Sequence, residues 1–373
     1  MSFDPVAFRH ALHRIPELAY NEHQTQALLL AKIEELTSGE SAFESVVFED
    51  MTGIVLFYHG AEENQPYQLF RADMDALPIR ENTSVDYTSE NEGVMHACGH
   101  DIHMSVLMGL VARVADELPA KNIIFLFQPA EEGAGGAERI IAKGILQKYP
   151  ISATFALHSG SGMDVSVVSS KPGIFFGIPQ EFDLRFIGKS SHVAFPEHGV
   201  NALACAAEFL IRMKDESAQL AFKERLIFHV GKITGGSVRN SIADNCLLEG
   251  THRTLSKAMK EELSGLMERV ATEVAQKYGA EFELKLLGSY DPVINDIVLY
   301  ERLKQSCYRL GYTFVEAETV MTGEDFGFFS GLYPSLLFWL GSGCDHPLHS
   351  EKYLPSDASI AVGINVFWDL LNS

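Results

Sequence analysis

The amino-acid sequence predicts an α/β fold in which a mostly parallel-sheet domain is interrupted by an inserted ferredoxin-like α+β domain. Three observations carry this expectation. Apolar runs of strand length alternate with segments of helical periodicity in the first half of the chain, as in a sheet with helices on its faces. From about Ile174 the order changes to β-α-β-β-α-β, a pattern complete in itself. Finally, 373 residues exceed the size at which one core usually stops growing. Residues 1–174 and 289–373 are therefore read as one domain and residues 175–288 as an insertion.

Taken in order, Asp4 to Leu36 has apolar residues at three- and four-residue spacing and reads as helix, broken at Pro16. Gly53 to Tyr58 and Gln68 to Ala72 read as strands, Asp101 to Leu118 as an amphipathic helix and Asn122 to Gln128 as a buried strand. Gly136 to Ile145 reads as helix and Ile151 to Leu157 as strand. In the insertion, Phe182 to Ile187, Leu226 to Ile233, Asn245 to His252 and Glu281 to Leu287 are the strands, with helices over Gly199 to Met213 and Lys257 to Tyr278. The chain then returns to the first domain through a helix at Val298 to Arg309 and an apolar run at Ser335 to Leu340.

A hydrophobic content of 46% and a charged content of 21% describe an ordinary globular protein able to bury a large core. A net charge of -21 argues against nucleic acid or an anionic membrane as partner, since both demand a positive surface. The start, MSFDPVAFRH, has neither a basic nor an apolar leader region, and no apolar stretch has the length of a membrane span. Five scattered cysteines form no CxxC pair and no disulfide framework, so a cytoplasmic location is expected.

Three short strings place metal-type ligands just after apolar runs: CGHD at Cys98–Asp101, PAEEG at Pro129–Gly133 and ALHS at Ala156–Ser159. A fourth, PLHS, surrounds His349. Thiolate, imidazole and carboxylate are ligands for zinc- or manganese-like cations. In a sheet of this kind, ligands gather beyond the carboxyl ends of the strands, where these strings lie. Alone, Cys98-Gly99-His100 is a buried thiol beside a loop histidine, and Glu131-Glu132 is an acidic helix start. Against that bland reading stand Pro129 and the glycines Gly133, Gly135 and Gly136, which mark a special loop. Of the paired carboxylates, one can ligate a cation while the other takes a proton from water. His346 and His349 form a His-x-x-His pair, and either is a candidate ligand. Of Asp73 and Asp75, one can support a ligand or tune the base, or else simply pair with Arg71. His192 lies in the small-residue loop GKSSHVAFPEHG; such loops often carry a polar side chain toward another domain or subunit, and a surface histidine is the default reading. Asn240 and Arg253 flank a strand and are candidates for binding a carbonyl oxygen and a carboxylate.

RADMDALP, MHACGHD, FLFQPAEEGAGGAE, ALHSG, GTHRT, MTGEDFGFF and FWLGSG…PLHS together resemble the dinuclear metal-dependent amidohydrolases, the group containing hippurate hydrolases, auxin-conjugate hydrolases and N-acetyldiaminopimelate deacetylases. The match runs from LHRIPELAYNEHQTQ to the final helix, and MHACGHDIHM, LLEGTHRTLS and MTGEDFGFF are most similar to the deacetylase branch. The resemblance implies two divalent cations per subunit (zinc, manganese, cobalt or nickel) held by Cys98, His100, Glu132, His158 and His349. It implies Glu131 as proton acceptor, Asp73 as a second active-site residue, and His192 as a histidine that helps bind the substrate carbonyl across a dimer interface. The inserted domain is then a lid and dimerisation domain, the protein a homodimer, and the substrate a small N-acyl amino acid, with N-acetyl-LL-2,6-diaminopimelate of lysine biosynthesis first among them. Hippurate-type N-acyl amino acids and dipeptides are the alternative. The chain departs from the family where Gly-Gly usually precedes the insertion histidine: here the pair is Ser190-Ser191, and the following Pro-His reads Pro196-Glu197-His198.

Overall fold

The computed structural model describes residues 3–62 and 65–373. The first helix, α1 (Pro5–Arg14), starts where Asp4 accepts hydrogen bonds from the Val6 and Ala7 amides and Pro5 supplies a preset φ. There follow α2 (His23–Thr37), β1 (Phe43–Val47), β2 (Ile54–Tyr58), β3 (Tyr67–Asp73), α3 (His100–Glu117), β4 (Ile123–Gln128), α4 (Gly136–Ala142), β5 (Ile151–Gly160), β6 (Val167–Ser170) and β7 (Gly173–Phe176). Next come β8 (Ile178–Ile187), α5 (Ala202–Leu220), β9 (Ile227–Gly235), β10 (Asn245–Thr254), α6 (Lys257–Tyr278) and β11 (Glu281–Ser289). The chain closes with β12 (Val293–Asn295), α7 (Ile297–Leu310), β13 (Thr313–Glu316), α8 (Gly327–Ser330), β14 (Ser335–Gly341) and α9 (Ala358–Asn372).

The chain divides into two compact units, one of Met1–Phe175, Val293–Thr319 and Asp325–Ser373, the other of Phe176–Pro292 with Val320–Glu324. The first unit is built on an eight-stranded sheet in the order β1-β2-β4-β3-β5-β14-β6-β13. The centre is parallel: β3 pairs with β4 and β5, and β5 with β14. These strands are apolar almost without a break because helices cover them. Phe70, Phe125, Phe127, Phe155 and Phe338 from the sheet share one core with Leu107, Leu110 and Val111 of α3 and Val366 and Phe367 of α9. The antiparallel strand β1 escapes the sequence reading because FESVV is half-exposed and carries no apolar run. The strand β5 extends past its expected end, so His158 lies within it.

The second unit has a four-stranded antiparallel sheet in the order β11-β8-β10-β9, the ferredoxin-like arrangement. Phe182, Leu184 and Phe186 of β8 pack against Phe209 and Met213 of α5 and Leu263, Met267 and Val270 of α6. Ser256 caps α6 at its start, and Gly279, at φ 68°, ends it. Edge strand β9 alternates between half-buried and exposed over its first residues and is exposed beyond them. No helix among the described residues is long and apolar enough to cross a membrane. All five cysteines are buried and unpaired.

Candidate metal centre

The parallel strands of the first unit deliver the candidate residues to one sheet edge. Asp73 closes β3 opposite Gln128 at the end of β4, and His158 on β5 stands opposite Trp339 on β14. Beyond these ends lie the Pro129–Gly135 loop, with Glu131 and Glu132, and the loop after β14 that carries His349.

Local backbone shape aims the candidate ligands. Gly99 has φ 86°, and a Cβ there would stand 2.9 Å from Ser159 Cβ, so only glycine allows the turn that brings Cys98 and His100 inward. His100, one residue before the expected start, is the first residue of α3. Ala130 and His349 both adopt positive φ, 58° and 64°, a conformation that side-chain-bearing residues keep only when their surroundings impose it. The His349 amide donates to the Ala97 carbonyl at 2.9 Å, tying its loop to the Cys98 segment.

Three groups of potential ligand atoms, each lying within 4.8 Å of one another, overlap here: Cys98, His100 and His158; Cys98, Glu132 and His349; and His100, Glu131 and Glu132. Each of Cys98, His100 and Glu132 belongs to two groups. The histidines have their far nitrogens engaged, as in metal ligands. His100 Nδ1 donates to the Asp75 carbonyl at 2.8 Å, and its Nε2, fully buried, has no hydrogen-bond partner among the described residues. His158 Nδ1 donates to the Ser159 carbonyl at 3.0 Å, which leaves the Nε2 lone pair facing Cys98 Sγ at 3.4 Å. His349 Nε2 lies 3.3 Å from Glu132 Oε1. His346 enters none of the groups and instead lines a surface groove with Asn82, Asp345 and Lys352.

The electrostatics point the same way. Burial, with the Glu132 and Glu131 carboxylates, pushes the Cys98 thiol well above its ordinary value. Burial holds His158 down at about 3, so it stays neutral. For His100 burial is overcome by the Asp73 and Asp75 carboxylates, which raise it to about 10. Glu132, despite its burial, is held below the usual range by His349 and His100. Gathering buried Asp73, Asp75 and Glu131 and half-buried Glu132 beside a thiol is costly unless positive charge joins them. A mixed sulfur, nitrogen and oxygen donor set with a buried, unpartnered imidazole nitrogen fits divalent cations.

In the RADMD segment Asp73 forms the salt bridge with Arg71 and also binds a histidine. Asp73 Oδ2 accepts from Arg71 Nη1 at 2.7 Å, and its Oδ1 accepts from His103 Nδ1 at 2.5 Å. His103 Nε2 in turn accepts from the Ser159 amide at 2.8 Å, which fixes its tautomer and keeps it neutral. Asp75 Oδ2 accepts from the Glu132 amide at 2.9 Å. Arg71 Nη2 also reaches Asp325 Oδ1 at 2.7 Å, and Asp325 accepts from Gln128 Nε2 and the Ala137 amide. Sequence reading assigned no role to His103, Asp325 or Glu22. The signals they carried were the position of His103 three residues after His100 on one helix face, and the places of Asp325 in MTGEDFGFF and of Glu22 in LHRIPELAYNEHQTQ. Asp101 pairs with Arg9 Nε at 2.9 Å and His13 Nδ1 at 2.8 Å.

In the second unit His192 is exposed, with its Nδ1 accepting from the Ala194 amide at 3.1 Å. Asn240 is its neighbour, since the Val193 amide donates to the Asn240 carbonyl. Arg253 stands near the far end of β10, eight residues beyond Asn245, or about 26 Å along the strand. Its Nη2 lies 3.4 Å from Glu181 Oε1.

Residues 69–373 match the peptidase family M20/M25/M40. The chain is 37% identical over 364 residues to the N-acetyldiaminopimelate deacetylase of Shouchella clausii, covering 97% of this chain and 96% of that protein. It is 34% identical to the enzyme of the same name from Listeria monocytogenes, with 99% and 98% covered. Its structure is similar to that of the YXEP protein of Bacillus subtilis, a dinuclear metal-binding peptidase of the M20 family, with a TM-score of 0.85, 28% identity and 98% and 96% of the two chains covered. The chain is a hydrolase and belongs to the peptidase family M20/M25/M40.

Proposed function

We propose that this enzyme hydrolyses N-acetyl-LL-2,6-diaminopimelate to acetate and LL-2,6-diaminopimelate, a step of lysine biosynthesis in the cytoplasm. The observation that carries the chemistry is the overlap of three donor groups at Cys98, His100 and Glu132, with Glu131 a member of one of them. The choice of substrate rests on the relatives named N-acetyldiaminopimelate deacetylase, whose similarity extends over nearly the whole chain. Cys98, His100, Glu132, His158 and His349 would hold two divalent cations. When bound, such cations acidify water and polarise an amide carbonyl. Glu131 takes the proton from the attacking water and returns it to the leaving amine nitrogen, so one carboxylate acts as base and then as acid. Asp73 is anchored by Arg71 and His103 and keeps a buried negative charge facing His100 Nε2 at 3.7 Å.

A cysteine nucleophile is the competing chemistry. Cys98 does have His158 at 3.4 Å, but burial raises the thiol and lowers the imidazole, so the thiolate–imidazolium pair is disfavoured.

The inserted unit is proposed as the lid and dimerisation domain. One copy holds Arg253 far from His192 and Asn240, so a ligand the size of an acylated amino acid cannot meet all three from one inserted unit. Supply of His192 and Asn240 by one protomer and Arg253 by its partner removes that difficulty. His192 would then donate to the developing oxyanion and Arg253 would bind a carboxylate. Product analysis of the zinc- or manganese-reconstituted enzyme on N-acetyl-LL-diaminopimelate and hippurate tests the reading. Preferred release of acetate supports it, and preferred release of benzoate replaces the substrate while keeping the chemistry.

A further inference from the structure

The loop Pro129–Gly135 carries both central carboxylates, and its shape is imposed from outside. Ala130, directly before Glu131, is fully buried at φ 58°, a left-handed conformation that costs a residue with a Cβ on the order of 1 kcal/mol. Beside the bond of the Glu132 amide to Asp75 Oδ2, three hydrogen bonds hold the loop there. The Ala130 amide donates to Glu22 Oε1 at 2.9 Å, the Gly136 amide donates to the Ala130 carbonyl at 3.0 Å, and the Tyr20 hydroxyl donates to the Ala134 carbonyl at 2.9 Å. Glu22 is itself fixed. It is fully buried, and its Oε2 accepts from the Thr52 hydroxyl at 2.5 Å. Beside Thr52, Gly53 lies so close to the loop that an added Cβ would stand 2.8 Å from Pro129 Cδ. Although Glu22 immediately precedes α2, its side chain does not cap that helix. Its bonds run to the Glu131 loop and to Thr52.

We infer that Glu22 is a positioning residue for the Glu131–Glu132 pair, holding Ala130 in the left-handed conformation that aims both carboxylates. The inference rests on the reading of Glu131 as proton carrier and Glu132 as ligand given above. A negative charge is not what the arrangement requires. Burial raises the Glu22 carboxyl to about 7, against the Thr52 hydroxyl and aided by Asp75. In the neutral form Oε1 still accepts from Ala130 while Oε2 donates to Thr52. A glutamine reproduces this pattern with its amide, whereas an alanine leaves the Ala130 amide buried with no acceptor.

The test uses full-length Glu22→Ala, Glu22→Gln and Glu131→Gln, loaded with zinc. The readouts are kcat, KM, zinc affinity by chelator competition, and thermal midpoint of the metal-free protein. Glu22→Ala should lower kcat by about 10- to 100-fold with KM changed less than about twofold, because it disturbs aim rather than substrate contact. Zinc affinity should fall with it, since Glu132 shares the loop, while the thermal midpoint falls by only a few degrees, the cost of one unsatisfied buried amide. Glu22→Gln should recover kcat to within about threefold of the unsubstituted enzyme. Unchanged kcat and zinc affinity in Glu22→Ala, or a Glu22→Gln as impaired as the alanine variant, overturns the inference. If Glu22→Ala does not fold, Thr52→Val decides: removing the hydroxyl that orients Glu22 must lower both kcat and zinc affinity in folded protein, and unchanged values are fatal. An active Glu131→Gln would refute the reading of the loop itself. An inactive Glu131→Gln beside an unimpaired Glu22→Ala sinks this inference alone.

Discussion

The cluster at the edge of the eight-stranded sheet and the loop around His192 carry similar side chains, yet they are prepared very differently. His100, His103 and His158 are buried, and each has at least one ring nitrogen committed to a defined partner. His192 is exposed and holds only the amide two residues along its own loop. The first arrangement is preorganised for chemistry within one unit. The second has its recognition atoms still unspent, as expected of a group whose partner arrives from elsewhere. Preorganisation, more than residue type, thus separates the candidate metal centre from the proposed substrate contact.

The contrast breaks most sharply at Glu131. Glu131→Gln should cut turnover by about 10²- to 10⁴-fold, because the amide is nearly isosteric but accepts no proton. Metal content and circular dichroism should not change. A variant retaining near-normal turnover would remove Glu131 from the mechanism.

Next in size is His192→Ala, expected to lower turnover by about 10²- to 10³-fold, the usual loss when one oxyanion donor is removed, with metal content unchanged. Co-expressing Glu131→Gln with His192→Ala subunits should restore partial activity, since one site in each mixed dimer is intact. Verified mixed dimers that recover nothing, or an enzyme active as a monomer in sedimentation, would end the cross-subunit role.

Metal affinity gives a graded series. Cys98→Ala removes a donor shared by two ligand groups and should lose more affinity than His349→Ala, whose side chain is half exposed. A loss of at least about tenfold is expected for each. His346→Ala should leave chelator competition curves unmoved, and equal losses at His346 and His349 would contradict the geometry.

The smallest effect falls on stability alone. His13, beside Asp101 and Glu81, is raised from 6.5 to about 9 against the pull of its burial. A folded-state value above the unfolded one means that protonation stabilises the fold. This contribution is complete below about pH 6.5 and disappears as pH rises through about 9. It amounts to about 3 kcal/mol as an upper bound. Urea titrations of His13→Gln should therefore show a larger deficit at pH 6 than at pH 9.5. A deficit independent of pH would mean that His13 contributes by packing.

Much of this was legible because it is written locally. Continuous apolar runs gave β2, β3, β4, β5 and β14, and the motifs at Cys98, Glu131, His158 and His349 sit directly behind or within such runs. What stayed hidden is encoded over long sequence separations. Glu22 meets Ala130 across 108 residues, and Arg71 meets Asp325 across 254, through side-chain bonds that leave no periodic trace. The short strands β6 and β13 pair with each other in parallel and cover only four residues each, too few for a pattern to register. The segment Val320–Glu324 belongs to the second unit although it lies far beyond the β-α-β-β-α-β order.

The place of β14 also has a bearing on biogenesis. That strand, Ser335–Gly341, is wedged between β5 and β6, and His349 comes eight residues after its end. A nascent chain therefore finishes the whole β8–β11 sheet long before the last strand of the larger sheet has left the ribosome. The inserted unit is free to fold as synthesis proceeds, while the larger unit keeps an open seam beside β5 until translation is nearly over. A ribosome that stalls before residue 335 releases a chain with an unpaired parallel edge and no His349, which invites aggregation and leaves the proposed ligand set incomplete.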